Sequence, residues 1–260
     1  MINNVKQHFR PDEGPFIDEL EGQIATVENQ YRPVLTSFLN PRQVYIAQTL
    51  VNRNDNVHAQ ASGGYPNAEM QRLLIYPDYF KPNDDDFELQ VLQVDYPTKF
   101  AELHHRQIMG TLLGEGLERS SFGDIITDGE GRWQVVMTNQ MARFVDQQID
   151  HVGRIKVRWL VVEGNLLSAS DDWEPVTTTI SSLRLDAIIA SAFHYSRNRA
   201  KQIVEHQLAQ VNWEVIDRPD YSLVVHDIVS VRHAGRIRVD HMGSVTRKGK
   251  RRIALSVIHA

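Results

Sequence analysis

Between Phe87 and Leu167 the spacing of apolar residues switches repeatedly between the two-residue repeat of a strand and the 3.6-residue repeat of a helix. That succession restricts the fold more than any other stretch of the chain. Phe87, Leu89, Val91 and Leu92 open a strand that Pro97 closes. From Phe100 to Leu117, Leu103, Ile108, Leu112 and Leu113 share one broad helical face. Gly123 to Thr127 and Trp133 to Met137 read as strands joined through Asp128-Gly129-Glu130-Gly131, a hairpin signal. Asn139 starts a second helix with Phe144, Val145 and Ile149 turned inward, and Lys156 to Val162 is the last strand. The order βαββαβ is the split βαβ unit of ferredoxin-like folds.

The flanks read differently. Ile17, Leu20, Ile24, Val27 and Tyr31 share a helical face, and Val44, Ala47 and Leu50 repeat the pattern after Pro41, so two helices open the chain. Val57 to Ala61 suits a short strand, Gly63 and Gly64 a turn, and Asn67 the cap of a third helix through Met70 and Leu73. Pro77, Pro82 and Asp84 to Asp86 mark a boundary, and Ser168 to Glu174 with Pro175 reads as a linker. The expectation is an α+β protein of three domains: an N-terminal α/β domain at 1–84, a ferredoxin-like (RRM-like) central domain at 85–170, and a C-terminal module at 181–260 that pairs two helices with a small sheet.

With 42% apolar and 23% charged residues, the 260-residue chain can build real cores. Its apolar runs fall far short of the roughly 20 residues that cross a bilayer. Met1 to Arg10 lacks the apolar segment of a signal peptide, so a cytoplasmic address is expected. The absence of cysteine excludes disulfides, thiol nucleophiles, iron–sulfur clusters and thiolate zinc sites. Charge is divided unevenly. Residues 1–180 carry 15 Lys and Arg against 26 Asp and Glu, whereas residues 181–260 carry 13 against 7. A basic end on an acidic body points to a polyanion partner, because phosphates attract Lys and Arg whatever the rest of the chain carries.

Within that basic end, Leu185, Ile188, Ile189 and Ala192 form the apolar face of one helix, with Arg184 and Asp186 in its opening turn. Ser196 caps a second helix whose inner face is Ala200, Ile203, Val204 and Leu208. Arg197 and Lys201, four apart, share its outer face. In a tight helix pair, Arg184, Arg197 and Lys201 would converge with the N–H groups of a helix start into a phosphate clamp. An intramolecular salt bridge from Asp186 to Arg197 is the competing use, and the two are compatible, since a carboxylate can orient an arginine that also binds phosphate. Val211 to Ile216 reads as a strand on which Trp213 packs against the helices or stacks on a base. Asp227 to Arg232 reads as another. Beyond them Arg236, Arg238, Arg247, Lys248, Lys250, Arg251 and Arg252 belong to a basic hairpin able to track a backbone, or to a solvated face.

Residues 183–232 resemble the alpha-L RNA-binding motif of a small-subunit ribosomal protein, bacterial tyrosyl-tRNA synthetases, pseudouridine synthases and small ribosome-associated heat-shock proteins. Arg184-Leu185-Asp186, Ser196-Arg197-Asn198-Arg199-Ala200-Lys201 and Val211-Asn212 carry the resemblance; Gln207 and His226 stand where the motif has glycine. The candidate RNA-facing set is Arg184, Ser196, Arg197, Arg199, Lys201, Asn212, Arg247, Lys248, Lys250 and Arg251, with Asp186 orienting the arginines. An asparagine such as Asn212 is more often a turn-forming residue than a base reader. The whole chain resembles the YlmH-type family through Gln7 to Asp18, Leu35 to Gln43, Gly63 to Glu69, His104 to Arg119 and Gly123 to Ile125; Met70-Gln71-Arg72 departs from the family's Arg-Lys-Arg. The chain is expected to be a monomer without a cofactor and without enzymatic activity, since no catalytic constellation is visible. The resemblance implies binding to ribosomal RNA and transfer RNA on the large ribosomal subunit, in the rescue of stalled nascent chains.

Other chemistry finds little support. His104, His105 and Arg106 lack a third ligand at metal-binding spacing and suit a helix cap or surface. Gly110, Gly114 and Gly116 miss the dinucleotide fingerprint and suit close helix packing. No strand carries an aromatic RNP-type motif. Two alternatives remain: a protein-interaction adaptor linked to cell division, whose basic end meets an acidic protein, and an RNA-modifying enzyme of pseudouridine-synthase type. The sole Arg-Leu-Asp lies in the C-terminal module, leaving Asp124 and Asp128 as isolated candidates for the latter.

Overall fold

The computed structural model describes residues 9–167, 173–246 and 249–260. The chain divides into two units, Met1–Ser170 and Asp171–Ala260. In the first, the face set by Ile17, Leu20, Ile24 and Val27 is the buried side of α1 (Gly14–Gln30). Tyr31 is not on that face: its left-handed backbone (φ 51°) ends the helix and leaves its ring exposed. After strand β1 (Val34–Leu39), Asn40 caps α2 (Pro41–Val51) by accepting the Gln43 N–H while Gln43 bonds back to Asn40. Then come β2 (Val57–Ser62) and β3 (Gln71–Pro77), which pair antiparallel in the order β1-β3-β2 beneath the two helices.

The third helix expected after Asn67 is absent. Asn67 sits at φ 62°, and Gln71 to Pro77 is the central strand, its Arg72 to Ile75 buried on both faces. A run of four consecutive buried residues has no helical side, and the Met70 and Leu73 spacing that suggests a helix arises by chance within it.

The second half of this unit contains β4 (Leu89–Asp95), α3 (His105–Gly114), β5 (Phe122–Thr127), β6 (Trp133–Thr138), α4 (Asn139–Gln148), the hairpin β7 (His151–Val152) and β8 (Ile155–Lys156), and β9 (Arg158–Val161). Four strands form an antiparallel sheet in the order β5-β6-β4-β9. Leu92, Val94, Val135 and Met137 face a core closed by Ile108 and Leu112 of α3 and by Ala142 and Val145 of α4. Phe144 is exposed, not inward as its spacing suggests. Gly110, Gly114 and Gly116 have no neighbour within 4 Å of an added Cβ, so close packing does not explain them.

The sheet face away from α3 and α4 is also covered. Val136 is fully buried, and a Cβ on Gly64 would lie 3.0 Å from it. Gln134 accepts the Leu167 N–H at 2.8 Å and donates to the Asn165 carbonyl at 3.2 Å. Arg72, buried, reaches the carbonyls of Thr36 and Phe87 at 2.8 and 2.9 Å. Asp124 on β5 takes the Tyr65 hydroxyl at 2.6 Å and the N–H groups of Glu69 and Met70 at 2.8 and 3.3 Å. The segment from Gly63 to Met70 is thereby tied across the sheet.

In the second unit, β10 (Glu174–Ile180) occupies residues that the sequence suggests are partly linker. It forms the edge of a six-stranded sheet, where Pro175 removes no hydrogen bond from an interior strand. Helices α5 (Leu185–Ala192) and α6 (Arg197–Glu205) lie against this sheet, followed by β11 (Ala209–Val211), β12 (Glu214–Val215), β13 (Ile228–Val231), β14 (Gly235–Val245) and β15 (Arg251–His259). The sheet order is β10-β15-β14-β13-β11-β12. Val211 to Ile216 is a hairpin, not one strand, because Asn212 and Trp213 both adopt positive φ (49° and 69°), the geometry of a two-residue turn. Gln207 and His226, which replace the motif's glycines, keep the left-handed backbone glycine would supply (φ 59° and 74°).

Two outcomes follow. Because Gln207 is exposed, Gln207→Gly should stabilise the second unit by about 0.5–1 kcal/mol, read as slower native-state hydrogen exchange in β11 and β13. Burial pushes the Asp124 carboxyl above the usual carboxylate range despite its hydrogen bonds. The folded state then holds that proton more tightly than the unfolded chain. The group's contribution is fully present below its unfolded value of about 4 and is lost as pH rises through the folded value. Asp124→Asn should flatten that loss in urea midpoints measured between about pH 4 and neutrality.

Candidate nucleic-acid interface

The start of α5 is fixed by the segment that follows β12. Leu185 and Asp186 donate their N–H groups to the carbonyls of Tyr221 and Pro219 at 2.8 and 3.2 Å, and Arg184 makes an isolated bridge to Ser222. Those first-turn donors are therefore spent inside the fold. Asp186 is 3% exposed. Its carboxylate accepts two bonds from Arg184 (Nε and Nη2, both 3.1 Å) and two from Nη2 of Arg197 (both 3.1 Å). The arginine side chains nevertheless keep 40% and 51% of their surface in solvent. Two cations on one anion leave a net positive charge held in a fixed geometry, with N–H groups still available to an outside acceptor. The bond to Asp186 also raises the Arg184 pKa, so that cation keeps its proton at any ordinary pH.

Ser196 and α6 supply the rest. The Ser196 hydroxyl accepts the Arg199 N–H at 3.2 Å, so its role is to cap. Arg199, exposed, lies over the Tyr195 ring with its guanidinium carbon 3.7 Å from the centroid. Lys201 does not join the arginine pair on Asp186; its ammonium lies 3.4 Å from Glu205, one turn along. Asn212 turns inward: its amide donates to buried Asp227 at 2.8 Å and accepts the Ile228 N–H at 3.0 Å, which is the turn-forming role. Lys250 and Arg251 are exposed at the start of β15. Arg247 and Lys248 lie outside the described residues.

One feature escapes the sequence reading. Trp173, placed in the expected linker, lies beneath Arg236 and Arg238, whose guanidinium carbons are 5.6 and 4.9 Å from its ring. The alternation of Arg236, Ile237, Arg238 and Val239 signals the arginines' shared face, but nothing local to Trp173 announces its partner. Asp128 is engaged by Arg132 at 2.6 Å and Asp124 by Tyr65. His104 occupies the cap position of α3. Among the described residues, no group of three His, Asp or Glu is placed to hold a metal ion, and no helix is long and apolar enough to cross a membrane.

Residues 16–80 match a family profile described as "YlmH, N-terminal", residues 82–164 one described as "Putative RNA-binding domain in YlmH", and residues 183–229 the S4 domain. The chain is 37% identical over 253 residues to the ribosome-associated protein quality control protein P2 of Bacillus subtilis, spanning 97% of this chain and 98% of that protein. It is 36% identical over 70 residues to the small ribosomal subunit protein uS4 of Desulfotalea psychrophila, covering 25% and 33% of the two chains. A solved structure, the cell division protein ylmH from Streptococcus pneumoniae, superposes with a TM-score of 0.53 at 35% identity, covering 61% of this chain and 96% of that one.

Replacing Asp186 tests the arginine pair directly. With both guanidinium groups partly solvated, Asp186→Asn should cost the second unit about 1–2 kcal/mol, measured by denaturant unfolding.

Proposed function

The chain belongs to the YlmH family of RNA-binding proteins, and from that premise we propose that it grips ribosomal RNA and transfer RNA on the large ribosomal subunit through its C-terminal unit. It is an RNA-binding protein of ribosome-associated quality control, acting without catalysis. The observation that carries the contact itself is the pair Arg184 and Arg197, fixed by one buried carboxylate and half open to solvent. Arg199, Lys201, Lys250 and Arg251 extend the positive surface, and Arg247 and Lys248 add to the basic charge of the same stretch of sequence. Ser196 and Asn212 serve by shaping it.

A fixed pair of guanidinium groups suits phosphate oxygens on a rigid backbone. Structured RNA offers such a backbone while its deep, narrow major groove hides base edges, so recognition here is by shape and charge. We assign the domains as 1–84, 85–170 and 181–260, the last extended to include β10. The strand order β5-β6-β4-β9 supports a ferredoxin-like, RRM-like central domain, and the α5–α6 pair with its arginines supports the alpha-L type for the last. The protein works as a monomer in the cytoplasm.

Arg197→Ala should weaken binding to purified large subunits by about 1–3 kcal/mol and lower the salt slope by about one. Asp186→Asn separates positioning from bulk charge. It makes the unit more positive, so simple attraction predicts tighter binding, whereas loss of the arginine geometry predicts weaker binding. Weaker binding is the expected result. In a density gradient the wild type should travel with large subunits and leave them at high salt. An adaptor linked to cell division, the process in the printed name of the pneumococcal relative, would migrate unchanged after nuclease treatment.

A further inference from the structure

We infer that the central half of the chain meets RNA through the loop between β4 and α3 and the outer face of α3, with Phe100 stacking on an unpaired base. The inference rests on the RNA-binding function above and adds the surface used by a second part of the molecule. Its first ground is that the other obvious surface is closed. In a four-stranded sheet with helices on one side, the open side is where single-stranded RNA is read by stacking on strand aromatics. Here that side carries Val91, Gln134 and Val136, all buried. Gly64 sits against Val136, and Asn165 and Leu167 are bonded to Gln134, so the chain itself fills the place a base would take.

The second ground is what the loop presents. Phe100 is 91% exposed, more than any other large apolar residue among those described. Its exposure is built in: the N–H groups of Phe100 and Ala101 both bond to the Pro97 carbonyl, at 2.9 and 3.1 Å, and Leu103 three residues on is anchored in the core. Lys99 adjoins it in the loop, and Arg106 projects from the first turn of α3. Arg154 stands at the tip of the β7–β8 hairpin, seated beside α3 where Gly153 donates to the Thr111 hydroxyl at 3.4 Å. All three cations are exposed, and among the described residues none is engaged in an ion pair. The loop's acidic residue, Glu102, lies 3.9 Å from His104. Gly110, one turn beyond Arg106, leaves the outer face of α3 without a side chain, at a cost in helix propensity that no internal contact offsets.

An exposed phenyl ring with Lys99 beside it in the loop, Arg106 in the first turn of the helix that follows and Arg154 on the hairpin against that helix has the complementarity of a nucleotide: the ring takes the base and the cations take the flanking phosphates. A protein partner held by Phe100 would call for apolar neighbours around it, and the exposed Leu113 lies two turns further along α3 than Arg106.

The test uses the full chain and purified large ribosomal subunits as the probe. Phe100→Ala should weaken binding about tenfold with the salt slope unchanged, and Phe100→Trp should retain it. Arg106→Gln should lower the salt slope by about one. With p-benzoylphenylalanine in place of Phe100, ultraviolet light should crosslink the protein to ribosomal RNA. Unchanged affinity in Phe100→Ala, or a crosslink confined to ribosomal protein, overturns the inference. Arg197→Ala measured alongside keeps the two readings apart: if it weakens binding while Phe100→Ala does not, only the loop surface is lost, and if neither does, the RNA-binding reading falls as well.

Discussion

A carboxylate taken out of water must be compensated, and Asp186 is compensated by two guanidinium groups where one would satisfy its charge. The excess leaves the second unit with a fixed, partly solvated positive charge. Arg184 reaches Asp186 from the residue that caps α5, and Arg197 reaches it from the first turn of α6. The same anion thus fixes the relation between two helices and holds two like charges side by side. Because each arginine keeps about half its side chain in solvent, the arrangement is open to a further anion without being rebuilt. A lysine in either place would lack the planar fork that lets one group serve a carboxylate and a phosphate together.

The first unit solves a different problem. Its sheet is covered on both faces, by α3 and α4 on one side and by the chain's own N-terminal half and the segment through Leu167 on the other. Asp124, Arg72 and Gln134 make the polar connections of that second face, each satisfying backbone groups of another segment. These are buried polar contacts whose loss would strand several donors and acceptors at once. They tie the segments of this unit together across the second face of the sheet, which leaves its helices and loops as the exposed surface.

Elements with a clean period were legible in the sequence. The apolar spacings of α1, α2, α5 and α6 place those helices, as does the alternation through β14. Ser196 as a cap and the Asp186 to Arg197 contact follow from residue type and separation. What could not be read depended on distant partners. Gln71 to Pro77 lacks a period because both its faces are buried, and the first two residues of β10 read as linker because the strand they pair with begins some seventy residues later. Lys201 could be placed on the right face of α6, but its choice of Glu205 is decided by local reach. Trp173 is invisible as a platform until β10 brings it beside Arg236 and Arg238.

The six-stranded sheet is open at two margins. One is β12, only two residues long and bounded by the Asn212-Trp213 turn; the other is β10, with Pro175 as its second residue and threonines at Thr177, Thr178 and Thr179. An uninterrupted outer strand offers a ladder of unpaired backbone groups to which a second chain can add itself. Here one ladder is too short to template a neighbour, and the other lacks a backbone donor near its first residue. Both margins therefore offer little to a second copy of the chain adding itself as a further strand.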